Sequence, residues 1–152
     1  MLASRGSARG YVACAVVVER QMRAKRVLIA EDNPDGAETL RLVIETWGHF
    51  AEAMLDGHAA VQFAARFEPD VAILDINMPV MTGYEAARLL RNAHTDVLLI
   101  AMTGAAQVET RQRARLAGFH HHFVKPVDLT ALKTLLSSDT REHLRPDYRM
   151  SD

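Results

Sequence analysis

The chain has 152 residues, 49% of them hydrophobic, with 18 Lys and Arg against 19 Asp and Glu for a formal charge of -1. That length fits one domain with a real core, and the balanced charge lacks the basic surplus that marks a nucleic-acid surface. The lone cysteine, Cys14, excludes an internal disulfide and points to a reducing compartment.

Near the start, Arg5 and Arg9 precede the apolar run Tyr11 to Val18. This resembles the first part of a signal peptide, but Glu19 and Arg20 follow where small residues should mark cleavage. The run is also too short to span a bilayer. Residues 1–24 therefore read as an extension, either loosely ordered or translated from a start upstream of a true beginning at Met22. A cytoplasmic protein without membrane contact is expected.

From Arg26 short apolar runs alternate with amphipathic stretches. Arg26 to Ala30 reads as a buried strand. Asn33-Pro34 starts a helix, Asn as cap and Pro at the first position, with Leu40, Val43, Ile44 and Trp47 inward and Gly48 as the stop. Phe50 to Ala53 is a weak strand, and Gly57 to Phe67 a helix with Ala60, Val61, Ala64 and Ala65 inward. Val71 to Leu74 is a buried strand ending on Asp75. Thr82 to Ala93 is a helix in which Thr82 and Glu85 have capping-box spacing. Asp96 to Met102 is a strand, Gln107 to Ala117 a polar helix ended by Gly118, and His121 to Val124 the last strand. Leu129, Leu132 and Leu136 line a final helix. The folded unit spans 25–137, and 138–152 form a polar tail or short helical end.

Five strands alternating with five helices predict an α/β fold, a parallel sheet covered on both faces and doubly wound. In such sheets ligands sit beyond the carboxyl ends of the strands. Those ends carry Glu31-Asp32, Asp75, Thr103-Gly104 and Lys125-Pro126. Three adjacent carboxylates repel one another unless one is protonated or a cation joins them. Mg²⁺, a hard ion that takes few carboxylates and a phosphate oxygen, suits them. Asp75 can then serve as a nucleophile forming an acyl phosphate. Lys125 offers a point charge and Thr103 a hydroxyl to phosphoryl oxygens, and Gly104 leaves room for backbone amides.

Four segments together are similar to the receiver domain of response regulators in two-component signalling: Val27 to Asn33, Ala72 to Pro79 with Gly83, Ala101 to Gly104, and Phe123 to Pro126. The likeness covers roughly Lys25 to Leu136. It implies a flavodoxin-like (CheY-like) sheet in the order 2-1-3-4-5. It also implies that Asp75 accepts a phosphoryl group from a histidine kinase or histidine phosphotransfer protein. Asp32, Asp75 and the backbone carbonyl of Asn77 would bind Mg²⁺ directly, and Glu31 through a water. Thr103 and Lys125 would contact the phosphoryl group and relay its presence through Gln107 to Leu136, a region through which receivers also form homodimers. Where the family often has Tyr or Phe as a switch, this chain has His122. That histidine and the run Phe123 to Asp128 resemble receivers attached to hybrid sensor kinases.

Plainer readings stand beside these. Glu31-Asp32 alone is a solvated loop pair, and Asp75 alone a turn or cap. His120, His121 and His122 alternate faces, so at most two share one, which is too few for a zinc site. Arg111, Arg113 and Arg115 are a solvated face or a partner-docking surface. The expected function is a single-domain receiver, not an enzyme acting on an external substrate, that signals to an unknown protein partner or shuttles phosphate in a relay. The alternative is an aspartate-nucleophile phosphatase, but Asn77 stands where those enzymes need a second aspartate. A flavodoxin-like cofactor binder fails because the loop from Glu31 to Asp35 is acidic where a phosphate cradle is rich in free amides.

Overall fold

A computed structural model describes residues 23–104 and 108–144; Cys14, the extension up to residue 22, Ala105 and Gln107 lie outside them. Among the described residues five strands form one parallel sheet: β1 (Arg26–Ala30), β2 (Phe50–Met54), β3 (Val71–Asp75), β4 (Leu98–Thr103) and β5 (His121–Val124). Their order is β2-β1-β3-β4-β5, as the resemblance implied. The helices are α1 (Pro34–Thr46), α2 (Gly57–Phe67), α3 (Gly83–Ala93), α4 (Val108–Ala117), α5 (Leu129–Ser137) and a single turn, α6 (Thr140–His143).

Strands buried on both faces read as unbroken apolar runs, and β3 and β4 are buried along their whole length. Leu28, Ala72, Leu74, Leu99 and Ala101 face one core, closed by Ala60 and Ala64 of α2, Ala87 and Leu90 of α3, and Ala114 of α4. Val27, Ile29, Ile73 and Ile100 face the other, closed by Leu40 and Ile44 of α1 and Leu132, Leu135 and Leu136 of α5. Alternation along each strand thus decides which helix layer a residue meets.

Local signals set the helix starts. Asn33 Oδ1 accepts from the amides of Asp35 at 3.0 Å and Gly36 at 3.3 Å. Thr82 and Glu85 form the reciprocal capping box, with Thr82 N donating to Glu85 Oε2 at 2.8 Å. Asp56 and Asp128 cap α2 and α5.

Three expectations shift. In α2, Ala65 is exposed, and the turn is filled by Phe63 and Phe67, whose rings stack at 5.1 Å. β4 begins at Leu98: Asp96 is exposed, and Val97, though buried, turns its amide to the His94 carbonyl instead of to β3. Lys25, outside the expected core, is buried: its ammonium donates to the carbonyls of Leu136 (2.5 Å) and Ser138, which the end of α5 leaves free.

Candidate functional site

Because the strands are parallel, the carboxyl ends of β1, β3, β4 and β5 share one edge, and each leads into a residue singled out above. β1 runs into Glu31 and Asp32, β3 ends on Asp75, β4 ends on Thr103, and β5 runs into Lys125. Glu31, Asp75 and Thr103 are buried, whereas Asp32 is exposed. One carboxylate oxygen from each of Glu31, Asp32 and Asp75 lies within 4.8 Å of the other two.

Lys125 ties the cluster together. Its Nζ donates to Glu31 Oε2 at 2.6 Å and to Asp75 Oδ2 at 3.0 Å. Burial acts to lower the Lys125 pKa, but the hydrogen bonds and charges of Glu31 and Asp75 outweigh it and hold the group above the ordinary lysine value. The sequence suggested a lysine for a phosphate oxygen and gave no sign of its pairing with Glu31, 94 residues away.

The remaining oxygens are held by backbone. Asp75 Oδ1 accepts from Asn77 N at 3.1 Å, and Glu31 Oε1 accepts from Asn33 N at 3.1 Å. Lys125 N donates to Thr103 O at 2.7 Å, which registers β5 against β4, and the Lys125–Pro126 peptide is cis. Among the described residues, a Cβ on Gly104 would meet nothing within 4 Å. Gly83 is different. A Cβ there would overlap the Asp75 carbonyl oxygen, a packing role that the sequence reading missed. Val80, in the loop after Asp75, is fully exposed at φ 70°, a left-handed conformation uncommon for a β-branched residue.

Three carboxylates facing one ammonium leave a surplus of two negative charges when all are ionised. All the offered donors are hard oxygens, so the set fits a small divalent cation such as Mg²⁺ and not a soft transition metal.

A family model described as the response regulator receiver domain matches residues 27–137. The chain belongs to the response regulator receiver domain family. Among curated proteins, this receiver is 32% identical over 127 residues to the sensor protein EvgS of Escherichia coli K12, covering 83% of this chain and 11% of EvgS. Of solved structures, the chemotaxis protein CheY4 of Vibrio cholerae matches with a TM-score of 0.70 at 29% identity, over 74% of this chain and 97% of that one. The receiver domain of the sensor histidine kinase PA1611 from Pseudomonas aeruginosa PAO1 was solved with a magnesium ion coordinated in its active-site cleft. It matches with a TM-score of 0.69 at 28% identity, over 78% of this chain and 99% of that one. Receiver domains take phosphoryl groups from histidine kinases or phosphotransfer proteins and act as signalling modules, not as enzymes in the ordinary sense.

His122, the expected switch position, pairs with Ala101 of β4 and is half-buried. Burial first, then the Arg111 charge, lowers its pKa. Among the described residues its Nε2 is the one fully buried side-chain nitrogen or oxygen without a hydrogen-bond partner. His120 and His121 lie on opposite faces, as alternation requires: His120 meets Arg91 of α3, and His121 meets His143 of α6. Among the described residues no helix is long and apolar enough to cross a membrane.

Proposed function

We propose that this receiver accepts a phosphoryl group on Asp75 from a phosphohistidine and signals through protein contacts. The observation that carries the reading is the position of Asp75 at the end of β3, its carboxylate in contact with Lys125 and beside Glu31 and Asp32. In the transfer, an Asp75 oxygen attacks phosphorus, the P–N bond of the donor breaks, and the imidazole leaves as a neutral ring after taking a proton. The product is a mixed anhydride of carboxylate and phosphate.

Glu31, Asp32, Asp75 and the Asn77 carbonyl would hold Mg²⁺, which supplies positive charge against the repulsion between carboxylate and incoming phosphoryl group. Lys125 leaves its contact with Asp75 for a phosphoryl oxygen, and the Thr103 hydroxyl donates to another. Asn77 N fixes the orientation of Asp75 through Oδ1. His122 then answers the rearrangement at Thr103 as the switch residue on the neighbouring strand.

A groove of about 490 Å³ opens beside Lys125 between α1 and α5, lined by Leu40, Val43, Met102, Val127 and Leu129 among others. Its apolar lining suits a protein donor better than a small phosphate ester. Incubation with a radiolabelled histidine phosphotransfer protein and Mg²⁺ tests the reading. Label is expected to move to this chain in a base-labile linkage and to stay on the donor with Asp75→Asn. Transfer to the Asp75→Asn chain would place the acceptor elsewhere.

A further inference from the structure

At the opposite edge of the sheet from Asp75, three side chains outside the signalling site join β5, α6 and the end of α5. His121 Nε2 lies 3.1 Å from His143 Nδ1, and His143 Nε2 lies 2.8 Å from Ser138 Oγ. The rings meet edge to face at 4.8 Å. We propose that His121, His143 and Ser138 form an acid-released clasp that holds α6 and the end of α5 against β5.

Among the described residues, hydrogen-bond bookkeeping assigns the protons. Ser138 Oγ donates its one hydrogen to Leu135 O at 2.6 Å, so towards His143 it accepts. His143 therefore carries its proton on Nε2, and its bare Nδ1 accepts from His121 Nε2–H. The chain runs from β5 through α6 to the last turn of α5 with each donor facing an acceptor. Lys25 closes the same corner by donating to Leu136 and Ser138 carbonyls.

The two rings can share one added proton, because an N–H⁺···N bond replaces an N–H···N bond. A second proton sets two donors and two positive charges against each other at this distance, and the contact cannot survive. The surroundings sharpen the effect. Lys25 lies nearby on the approach to β1, and His49, accepting from Lys25 N, lies behind it. Just before β5, His120 adjoins His121 and contacts Arg91 of α3. Asp139 and Glu142 around α6 are the carboxylates that favour a charged His143. Burial first, and then His143, pushes His121 down to about 4, while burial, with Lys25 adding to it, lowers His143 despite those two carboxylates.

Nuclear magnetic resonance on the full chain tests the clasp by following imidazole nitrogen shifts and backbone order during an acid titration. His121 and His143 should titrate as a pair in two separated steps. The order parameters of Arg141, Glu142 and His143 should stay near about 0.85 through the first step and fall below about 0.6 at the second. Leu28 and Ile73 should keep their core signals through both steps. His143→Gln, which cannot charge, should abolish the loss of order over that range. If it does not hold α6 at neutral pH, His121→Gln makes the same comparison from β5. The proposal is overturned if the variants lose α6 at the same pH as wild type. It is equally overturned if α6 is lost only with the core, or if each ring titrates singly near the ordinary histidine value.

Discussion

Gly83 packs beneath Asp75: Gly83 N donates to Ile76 O at 3.0 Å, and a methyl group on Gly83 would overlap the Asp75 carbonyl oxygen and stand 2.8 Å from Ile76 Cα. The atoms in the way are backbone, which cannot rotate aside as a side chain can. Gly83→Ala should therefore push α3 away from the end of β3. The expected loss is about 1–3 kcal/mol, in the range for overpacking, read from urea unfolding at neutral pH. Phosphoryl labelling should also slow, since Asp75 sits on the displaced segment. Wild-type stability in the variant would mean that the loop yields freely.

Lys125 holds Glu31 and Asp75 together, so its removal unmasks carboxylate repulsion. Lys125→Met should lower the melting temperature without Mg²⁺, and added Mg²⁺ should recover more of it than in wild type. Labelling at saturating Mg²⁺ should still be slow if, as proposed, the lysine also serves the phosphoryl oxygen. The sign with pH follows from its raised pKa. The pairing stabilises fully below the ordinary lysine value near 10.5 and is lost as pH rises through the higher folded-state value. A melting temperature independent of Mg²⁺ in both proteins would contradict metal binding at this cluster.

Leu129 lines the groove proposed to receive the donor and is 44% exposed, so it tests docking apart from chemistry. Leu129→Asp introduces a carboxylate where a protein donor would bury apolar surface. Transfer from a histidine phosphotransfer protein should fall about tenfold, the worth of roughly 1.4 kcal/mol at an interface. Labelling by acetyl phosphate should be unchanged. Equal loss with both donors would mean that the substitution disturbs Asp75 itself.

Acid should weaken the fold through His120. Its Nδ1 accepts from Leu99 N–H at 2.9 Å, and its Nε2 lies 3.0 Å from Arg91 Nη2. With Nδ1 accepting, the neutral ring carries its hydrogen on Nε2, so an added proton must take Nδ1 and break the bond from Leu99 N–H. Burial chiefly, then the Arg91 charge, lowers its pKa to about 4. A depressed folded-state pKa gives stability that is present above the ordinary histidine value and lost as pH falls towards 4. The urea midpoint should drop across that window, and His120→Gln should show a shallower drop. Identical pH profiles would remove His120 from the account.

Much of this was legible because local chemistry decided it. Asn33-Pro34 and the Thr82–Glu85 pair announce helix starts, and runs such as Val71 to Leu74 announce strands buried on both faces. The parallel order then brings Glu31, Asp32, Asp75, Thr103 and Lys125 to one edge. What escaped depends on contacts that exist only once the chain is folded. Lys25 is buried because it meets the end of α5, 111 residues away at Leu136. Ala65, expected inward, is exposed, and the stacked Phe63–Phe67 pair packs against the core from α2 instead. Asp75 precedes Gly83 by only eight residues, but only the folded turn between β3 and α3 shows its carbonyl oxygen where a Cβ at 83 would stand.

The most direct test of the central claim is intact-protein mass after incubation with acetyl phosphate, with and without Mg²⁺, for wild type and Asp75→Ala. One added phosphoryl group, seen only with Mg²⁺ and absent from the variant, is the predicted result. Addition that persists in Asp75→Ala, or that does not need Mg²⁺, would contradict it.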